Sequence, residues 1–209
     1  GERAEMHINA GQAVESVVQT PQVVTITTSA RKTVEGDALI AADGVWSRLR
    51  AQLLNDGKAQ PTGHLAYRAV VPQAQLPAAM RSDGVTTWLG PHMHVVQYPL
   101  RRGELMNIVA IIEGPAPADM ETWDHAANAV DLEAALARYC TPLQDLIRAV
   151  PAAGTQWRLW PLSDRDPLSS ADQMAQGLVG LLGDAAHPMR PYLAQGAGMA
   201  IAVSYTHLR

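Results

Sequence analysis

This 209-residue sequence has no phenylalanine and only one cysteine, Cys140. A single cysteine cannot close an intramolecular disulfide, so a disulfide-stabilised secreted fold is excluded. No apolar run approaches the roughly 20 residues of a membrane-spanning helix, and no secretory signal pattern opens the sequence. These absences predict a cytoplasmic protein with no membrane partner.

Clusters of basic residues are also missing, since the 16 Lys and Arg residues are scattered and are outnumbered by 20 Asp and Glu residues. Contacts with nucleic-acid phosphates need grouped Lys and Arg side chains, so a nucleic-acid partner is excluded. With 47% hydrophobic residues, the composition is that of a globular chain with one large domain or two small ones. A small ligand is therefore expected.

Strand-like segments dominate the first half of the sequence. Three short segments, rich in β-branched residues and separated by polar turns, predict a meander: residues 13–19, 22–28 and 37–43. Four further segments predict a second sheet: residues 64–71, 84–90, 93–100 and 104–114. Arg101-Arg102-Gly103 is expected to form the hairpin turn between the last two strands.

Helical patterns follow the second sheet. Residues 131–140 place apolar side chains at helical spacing behind an Asp cap, and residues 141–150 have Pro142 in the first turn. A buried strand is then predicted at residues 177–183, and it leads into Gly183-Asp184. We therefore predict the α/β fold class, in which the outer thirds form one domain and an α+β middle is inserted.

Gly183-Asp184, at the end of the last strand, offers a carboxylate where open α/β sheets bind ligands. Such a carboxylate can accept hydrogen bonds from a sugar-type hydroxyl. Gly196 and Gly198 follow, where the backbone can approach a ligand and begin a helix with free N–H groups. The alternative is a strand, a proline-rich turn and a helix without a ligand, because one glycine-rich turn is weak evidence.

A second strand ends in a carboxylate at Asp43-Gly44, followed by Ser47 and Arg50. Together with residues 183–188, Gly-Asp-Ala-Ala-His-Pro, this spacing resembles the DG and GD fingerprints of the FAD-dependent aromatic hydroxylases, the single-component flavoprotein monooxygenases. The salicylate and 3-hydroxybenzoate hydroxylase branch is most resembled by four segments, residues 65–71, 88–91, 97–110 and 191–198. The resemblance implies part of a FAD-binding Rossmann-like domain, interrupted by a mixed-sheet substrate domain.

The resemblance implies FAD contacts at both fingerprints and at the glycines that follow: Asp43, Gly44, Gly183, Asp184, Pro188, Gly196, Ala197 and Gly198. Asp184 is implied to bind the ribityl chain, and Pro188 and the backbone of residues 196–198 are implied to face the isoalloxazine ring. Asp43 and Gly44 are implied on the pyrophosphate side, in a motif also linked to the use of NADH or NADPH. Arg50 is expected to brace its loop by pairing with a carboxylate.

The family hydroxylates electron-rich aromatic compounds with NAD(P)H and molecular oxygen, and a phenol reacts best as its phenolate. Strand periodicity puts His92, His94, Val96 and Tyr98 on one face. The resemblance implies His94 as the base and Tyr98 as a substrate contact, with Gln195 as a polar neighbour. Ordinary surface or core histidines are the alternative. A metal at His92 and His94 is not expected, because no third ligand lies at convincing spacing.

Arg68 opens the inserted sheet, where its guanidinium can hold a substrate carboxylate or the phosphates of a nicotinamide cofactor. The alternative is an ordinary surface arginine. The predicted partners are thus a small aromatic substrate, molecular oxygen, and NADH or NADPH. The sequence leaves open which aromatic substrate is used, which nicotinamide cofactor is used, and whether the protein forms a homodimer.

The sequence also departs from the family pattern. It lacks the N-terminal βαβ unit with a Gly-x-Gly-x-x-Gly loop, so the resemblance implies an incomplete chain. The predicted domains are the first part of the FAD domain at 1–62, the substrate domain at 63–156, the returning part at 157–203 and a non-native tail at 204–209.

Two functions stay open at this point. The first is a flavin-dependent aromatic hydroxylase whose complete form is active. The second is a non-enzymatic fragment that retains no FAD. A flavin reductase or epoxidase with the same fingerprints and another substrate is an alternative within the family.

Overall fold

The computed structural model describes residues 5–117, 125–126 and 129–207. The chain divides into two compact units. The outer unit comprises Gly1–Gln60 and Ser163–Arg209, and the inserted unit comprises Pro61–Leu162. The return to the outer unit lies later than the predicted residue 157, because the strand that begins at Arg158 belongs to the sheet of the inserted unit.

From residue 5 onward, where the structure describes it, the first segment of the outer unit contains four strands and a helix: β1 (Val14–Gln19), β2 (Val24–Thr28), β3 (Thr33–Gly36), β4 (Leu39–Ala41) and α1 (Arg48–Leu54). β1, β2 and β3 form an antiparallel sheet. The predicted meander was therefore wrong in its third strand, which is β3 rather than the segment around β4. All four residues of β3 are exposed, so no apolar alternation marks it in the sequence.

Within its described residues, the inserted unit contains six strands and two α-helices: β5 (Gln60–Pro72), β6 (Thr86–Gly90), β7 (Met93–Leu100), β8 (Leu105–Glu113), β9 (His125–Ala126), α2 (Ala129–Leu136), α3 (Thr141–Ala152) and β10 (Arg158–Asp164). The sheet order is β6-β7-β8-β5-β10-β9. Residues 101–103 connect β7 to β8 in a hairpin, as predicted, with positive φ angles at Arg101 and Arg102. This hairpin fixes which residues of β7 and β8 lie opposite each other.

One face of the six-stranded sheet packs against α2 and α3. Its buried residues alternate along the strands, as Met93 and Val95 do on β7, and they join Leu132 of α2 and Ile147 of α3 in one core. Pro142 lies in the first turn of α3, as predicted. The Asp cap predicted for α2 was wrong, since Asp131 lies inside its first turn, where a carboxylate still favours the helix dipole.

The last segment, described up to residue 207, contains two α-helices and two strands: α4 (Ala171–Met174), β11 (Ala175–Gln176), β12 (Val179–Leu181) and α5 (Gly196–His207). β12 lies between β11 and β4 and runs parallel to β4. α5 continues through the residues predicted as a foreign tail up to His207, and the origin of that tail stays a prediction. None of the helices in the described part of the chain is long and apolar enough to cross a membrane.

Candidate functional site

The two fingerprints meet at one edge of the small sheet in the outer unit. β4 and β12 pair in parallel, with Ala41 opposite Leu181, and the Leu182 N–H donates to the Ala41 carbonyl at 2.9 Å. Because the carboxyl ends of parallel neighbours lie at the same edge, the loops after both strands emerge side by side. The sequence separates these loops by more than a hundred residues, and the parallel pairing brings them together.

A cavity of about 540 Å³ lies between these loops and the start of α5. It is lined by most of the residues predicted to contact FAD: Gly44, Gly183, Asp184, Gly196 and Ala197. Its volume is in the range typical of small-molecule sites. Asp43, Pro188 and Gly198 are close in sequence to lining residues but do not line the cavity.

Asp184 presents its carboxylate to this cavity. The residue is exposed, and its carboxylate has no hydrogen bond or ion pair within the described part of the chain. Gly183 has a φ of 61°, a left-handed conformation that favours glycine at this turn. A Cβ on Gly196 would lie 4.0 Å from Asp184 Oδ1, so the carboxylate is close to the start of α5. This carboxylate is therefore available to a hydroxyl-bearing ligand.

The first turn of α5 supplies backbone donors to the same cavity. The first α-helical hydrogen bond runs from the Met199 N–H to the Gln195 carbonyl at 2.8 Å. The N–H groups of Gly196, Ala197 and Gly198 precede it, so they have no partner within the helix. They lie at the positive end of the helix dipole, which favours an anionic or electron-rich ligand atom. Gln195 is exposed directly before them.

Asp43 is used differently from Asp184. Its carboxylate accepts hydrogen bonds from Ser47 Oγ at 2.6 Å, the Arg48 N–H at 3.0 Å and the Leu49 N–H at 3.3 Å. These donors belong to the start of α1, so the side chain stabilises the helix N-terminus and the turn at Gly44. The structure thus gives Asp43 a structural role beside the ligand role that the resemblance implies.

Arg50 pairs with a carboxylate, as predicted, and the partner is Asp56, with 2.6 Å between Arg50 Nε and Asp56 Oδ2. Asp56 also pairs with Arg165. Asp56 and Arg165 were not predicted from the sequence. No spacing rule links them, because Arg165 lies on the returning segment of the outer unit.

His94 and Tyr98 share one face of β7. Met93, Val95 and Gln97 point into the core, and His94, Val96 and Tyr98 are half-buried on the opposite face, as strand parity predicts. Burial lowers the pKa of His94 from its ordinary value, because desolvation penalises the charged imidazolium. The neutral ring, which is the form that can accept a proton, is therefore favoured. The catalytic roles of both residues stay predictions.

His92 does not share that strand face. It lies in the turn before β7 with a φ of 59°, and its Nδ1 is 2.9 Å from Glu113 Oε2. Strand parity fails here because the strand begins at Met93. Within the described residues, no group of three or more His, Cys, Asp or Glu side chains is arranged to hold a metal ion.

Arg68 lies on the same sheet face as His94. Arg68 and Val96 are both paired with Val109 of β8, and residues directly opposite in antiparallel strands point to the same side. Arg68 Nε donates to Asn107 Oδ1 at 2.9 Å, and its guanidinium carbon lies 5.9 Å from the centre of the Trp160 ring. The arginine is exposed but anchored on two sides.

Asn107 is a residue that the sequence analysis missed. It is fully buried on β8 opposite Tyr98, and its Nδ2 has no hydrogen-bond partner in the described part of the chain. Its signal in the sequence was a single polar residue inside the apolar run of residues 105–112.

Known proteins similar to this chain include a FAD binding domain family and a hydroxylase. The family model described as FAD binding domain matches residues 2–206. The 3-hydroxybenzoate 6-hydroxylase of Polaromonas naphthalenivorans (strain CJ2) is 39% identical over 168 residues, which cover 80% of this chain and 39% of that protein.

Solved structures are similar as well. A salicylate hydroxylase substrate complex has a TM-score of 0.77 at 28% identity, covering 93% of this chain and 50% of that one. Klebsiella pneumoniae HpxO complexed with FAD and uric acid has a TM-score of 0.69 at 28% identity, covering 91% and 46%. The chain thus spans about half, or less, of the length of these relatives. The similarities confirm the resemblance found in the sequence and the predicted fold class.

Proposed function

This chain belongs to the FAD binding domain family, and we propose that the protein carrying it is a flavin-dependent monooxygenase that hydroxylates a phenolic aromatic acid. The observation that carries the proposal is the single sheet face that presents His94, Tyr98 and Arg68. A site for a hydroxybenzoate requires a proton acceptor for the hydroxyl and a fixed cation for the carboxylate. The names of the relatives, a 3-hydroxybenzoate 6-hydroxylase and a salicylate hydroxylase, support this substrate class.

The residues of the outer unit fit FAD. The open carboxylate of Asp184 suits the hydroxyls of the ribityl chain, and the N–H groups of Gly196, Ala197 and Gly198 suit an electron-rich ring edge. Gly44 and Gly183, both with positive φ, let the backbone approach the cofactor closely. When bound and reduced by NADH or NADPH, FAD supplies the chemistry that activates molecular oxygen.

His94 takes the proton of the substrate hydroxyl on a ring nitrogen. Its lowered pKa keeps the imidazole neutral at physiological pH, and the resulting phenolate is more electron-rich at the carbon to be hydroxylated. Tyr98 lies four residues after His94 on the same face of β7, and there it contacts the substrate. Gln195 is the proposed polar neighbour from the loop before α5.

Arg68 binds the substrate carboxylate. Its Nε is held by Asn107, and its terminal nitrogens have no hydrogen-bond partner within the described residues. The planar guanidinium therefore has donors free for a carboxylate, in the paired geometry that arginine favours. The use of the same arginine for nicotinamide phosphates is the alternative role.

The proposal is tested by substrate-stimulated oxidation of NADH and NADPH in the full-length protein that carries this chain. We expect 3-hydroxybenzoate or salicylate to accelerate oxidation and to gain one oxygen atom from ¹⁸O₂, measured by mass spectrometry. Benzoate, which lacks the hydroxyl, and phenol, which lacks the carboxylate, serve as matched controls. The absence of labelled product from every hydroxybenzoate would contradict the proposal.

A further inference from the structure

Two buried arginines of the outer unit share one carboxylate. Arg50 Nε donates to Asp56 Oδ2 and Arg165 Nη2 donates to Asp56 Oδ1, both at 2.6 Å. The side chains of Arg50 and Arg165 are 1% and 3% exposed, and that of Asp56 is 22% exposed. We call these three residues the Arg50–Asp56–Arg165 bridge. Buried guanidinium groups need such pairing, since an unpaired buried charge is strongly unfavourable.

Other donors of the two arginines reach the carbonyls of Asp166 and Gly57, and the remaining ones reach the backbone of both cavity loops. Arg50 Nη1 donates to the carbonyls of Ala185 at 3.3 Å and Ala186 at 3.1 Å, directly after Asp184. Arg165 Nη1 donates to the carbonyl of Ser47 at 3.2 Å. It also approaches the carbonyl of Val45, the residue after Gly44, at 3.4 Å. Through the two arginines, the Asp56 carboxylate therefore connects the backbone segments that follow the two fingerprints.

The position of the Asp184 carboxylate depends on this backbone. Its side chain has no partner of its own in the described residues, so nothing but the turn at residues 183–187 places it. That turn is closed by hydrogen bonds to the Gly183 carbonyl from the N–H groups of Ala186 at 3.0 Å and His187 at 2.8 Å. Arg50 holds the carbonyls of the same turn from the buried side.

We propose that Asp56 and Arg165 are positioning residues of the FAD site. The bridge keeps the Gly44 loop and the Asp184 turn at the separation at which both line one cavity. Arginine is required at position 165 because its planar fork reaches a carboxylate and three carbonyls at once, those of Val45, Ser47 and Gly57, which a lysine ammonium cannot do. This inference rests on the FAD site of the proposed function and adds residues outside both fingerprints.

The test combines FAD titration with amide hydrogen exchange in the full-length protein that carries this chain. Arg165→Lys keeps the positive charge but removes the fork, and Arg48→Lys is the matched control, an exposed arginine on α1. We expect Arg165→Lys to raise the Kd for FAD at least tenfold and to accelerate exchange at the Ala186 and His187 amides in the FAD-free protein. Arg48→Lys should change neither quantity.

Asp56→Asn removes the shared charge without changing side-chain size, and we expect the same two effects from it. If Asp56→Asn does not fold, the result with Arg165→Lys decides. A folded Arg165→Lys protein with parental FAD affinity and parental exchange at Ala186 and His187 would overturn the proposal. Amide exchange is measured without FAD, so it tests the bridge even if the parent fails to bind FAD and the proposed function itself fails.

Discussion

Replacement of Asp184 by alanine tests the cofactor cavity most directly. The carboxylate is exposed and has no hydrogen-bond partner in the described residues, so its removal leaves no buried group unpaired. Substitutions of this kind change the free energy of unfolding by no more than about 0.5 kcal/mol. In the FAD-bound protein the same carboxylate is proposed to accept hydrogen bonds from cofactor hydroxyls, each worth about 1.5–3 kcal/mol to a charged acceptor.

Loss of one such bond raises the Kd for FAD by roughly ten- to a hundredfold, at about 1.4 kcal/mol per factor of ten. The measurement is a fluorescence titration of FAD with the full-length Asp184→Ala protein, together with urea unfolding of its FAD-free form. Asp172→Ala is the control, since Asp172 is an exposed carboxylate on α4 that does not line the cavity. Unchanged FAD affinity in a folded Asp184→Ala protein would refute the assignment of this carboxylate to the cofactor.

Three further predictions concern activity and cofactor retention. His94→Ala in the full-length protein should keep FAD but lose about 10²–10⁴-fold in hydroxylation rate, with part of the rate restored at high pH, where solvent supplies the phenolate. A parental rate with parental coupling of NAD(P)H to product would contradict it. In the parent, kcat/KM should rise with pH through the lowered pKa of His94, so a rise centred above the ordinary value of about 6.5 would contradict the role as base. The isolated 209-residue chain should not retain FAD, because it lacks the glycine-rich βαβ unit, and flavin absorption near one equivalent after purification would show otherwise.

Some parts of the fold and site could be predicted because they depend on local periodicity. The face shared by His94 and Tyr98 follows from alternation along β7. The prediction from alternation was wrong at His92, because this residue lies in a turn before the strand. It was also wrong at β3, because a wholly exposed strand shows no apolar pattern. Strand signals depend on burial of one face, so they weaken where neither face is buried.

Contacts between distant segments could not be predicted by pattern. Asp56 and Arg165 lie in loops with no periodicity, and only the fold brings them together with Arg50 in the Arg50–Asp56–Arg165 bridge. Asn107 carried a faint signal as a polar residue in an apolar run, but its role depends on Arg68, which reaches it from the neighbouring strand. Sequence spacing identifies candidate binding residues, whereas the residues that hold them in place are identified only by the contacts of the folded chain.

Asp43 and Asp184 show how environment separates two carboxylates that the sequence presents as equivalent. Both follow short strands that are parallel neighbours, and both therefore lie at one sheet edge. Asp43 accepts a hydroxyl and two backbone N–H groups at the start of α1, whereas Asp184 has no partner within the described residues. An acceptor already occupied by its own helix stabilises the loop, and an unoccupied acceptor can bind a hydroxyl. The first fingerprint is thus expected to serve the cofactor through the backbone of Gly44 and the second through the Asp184 side chain.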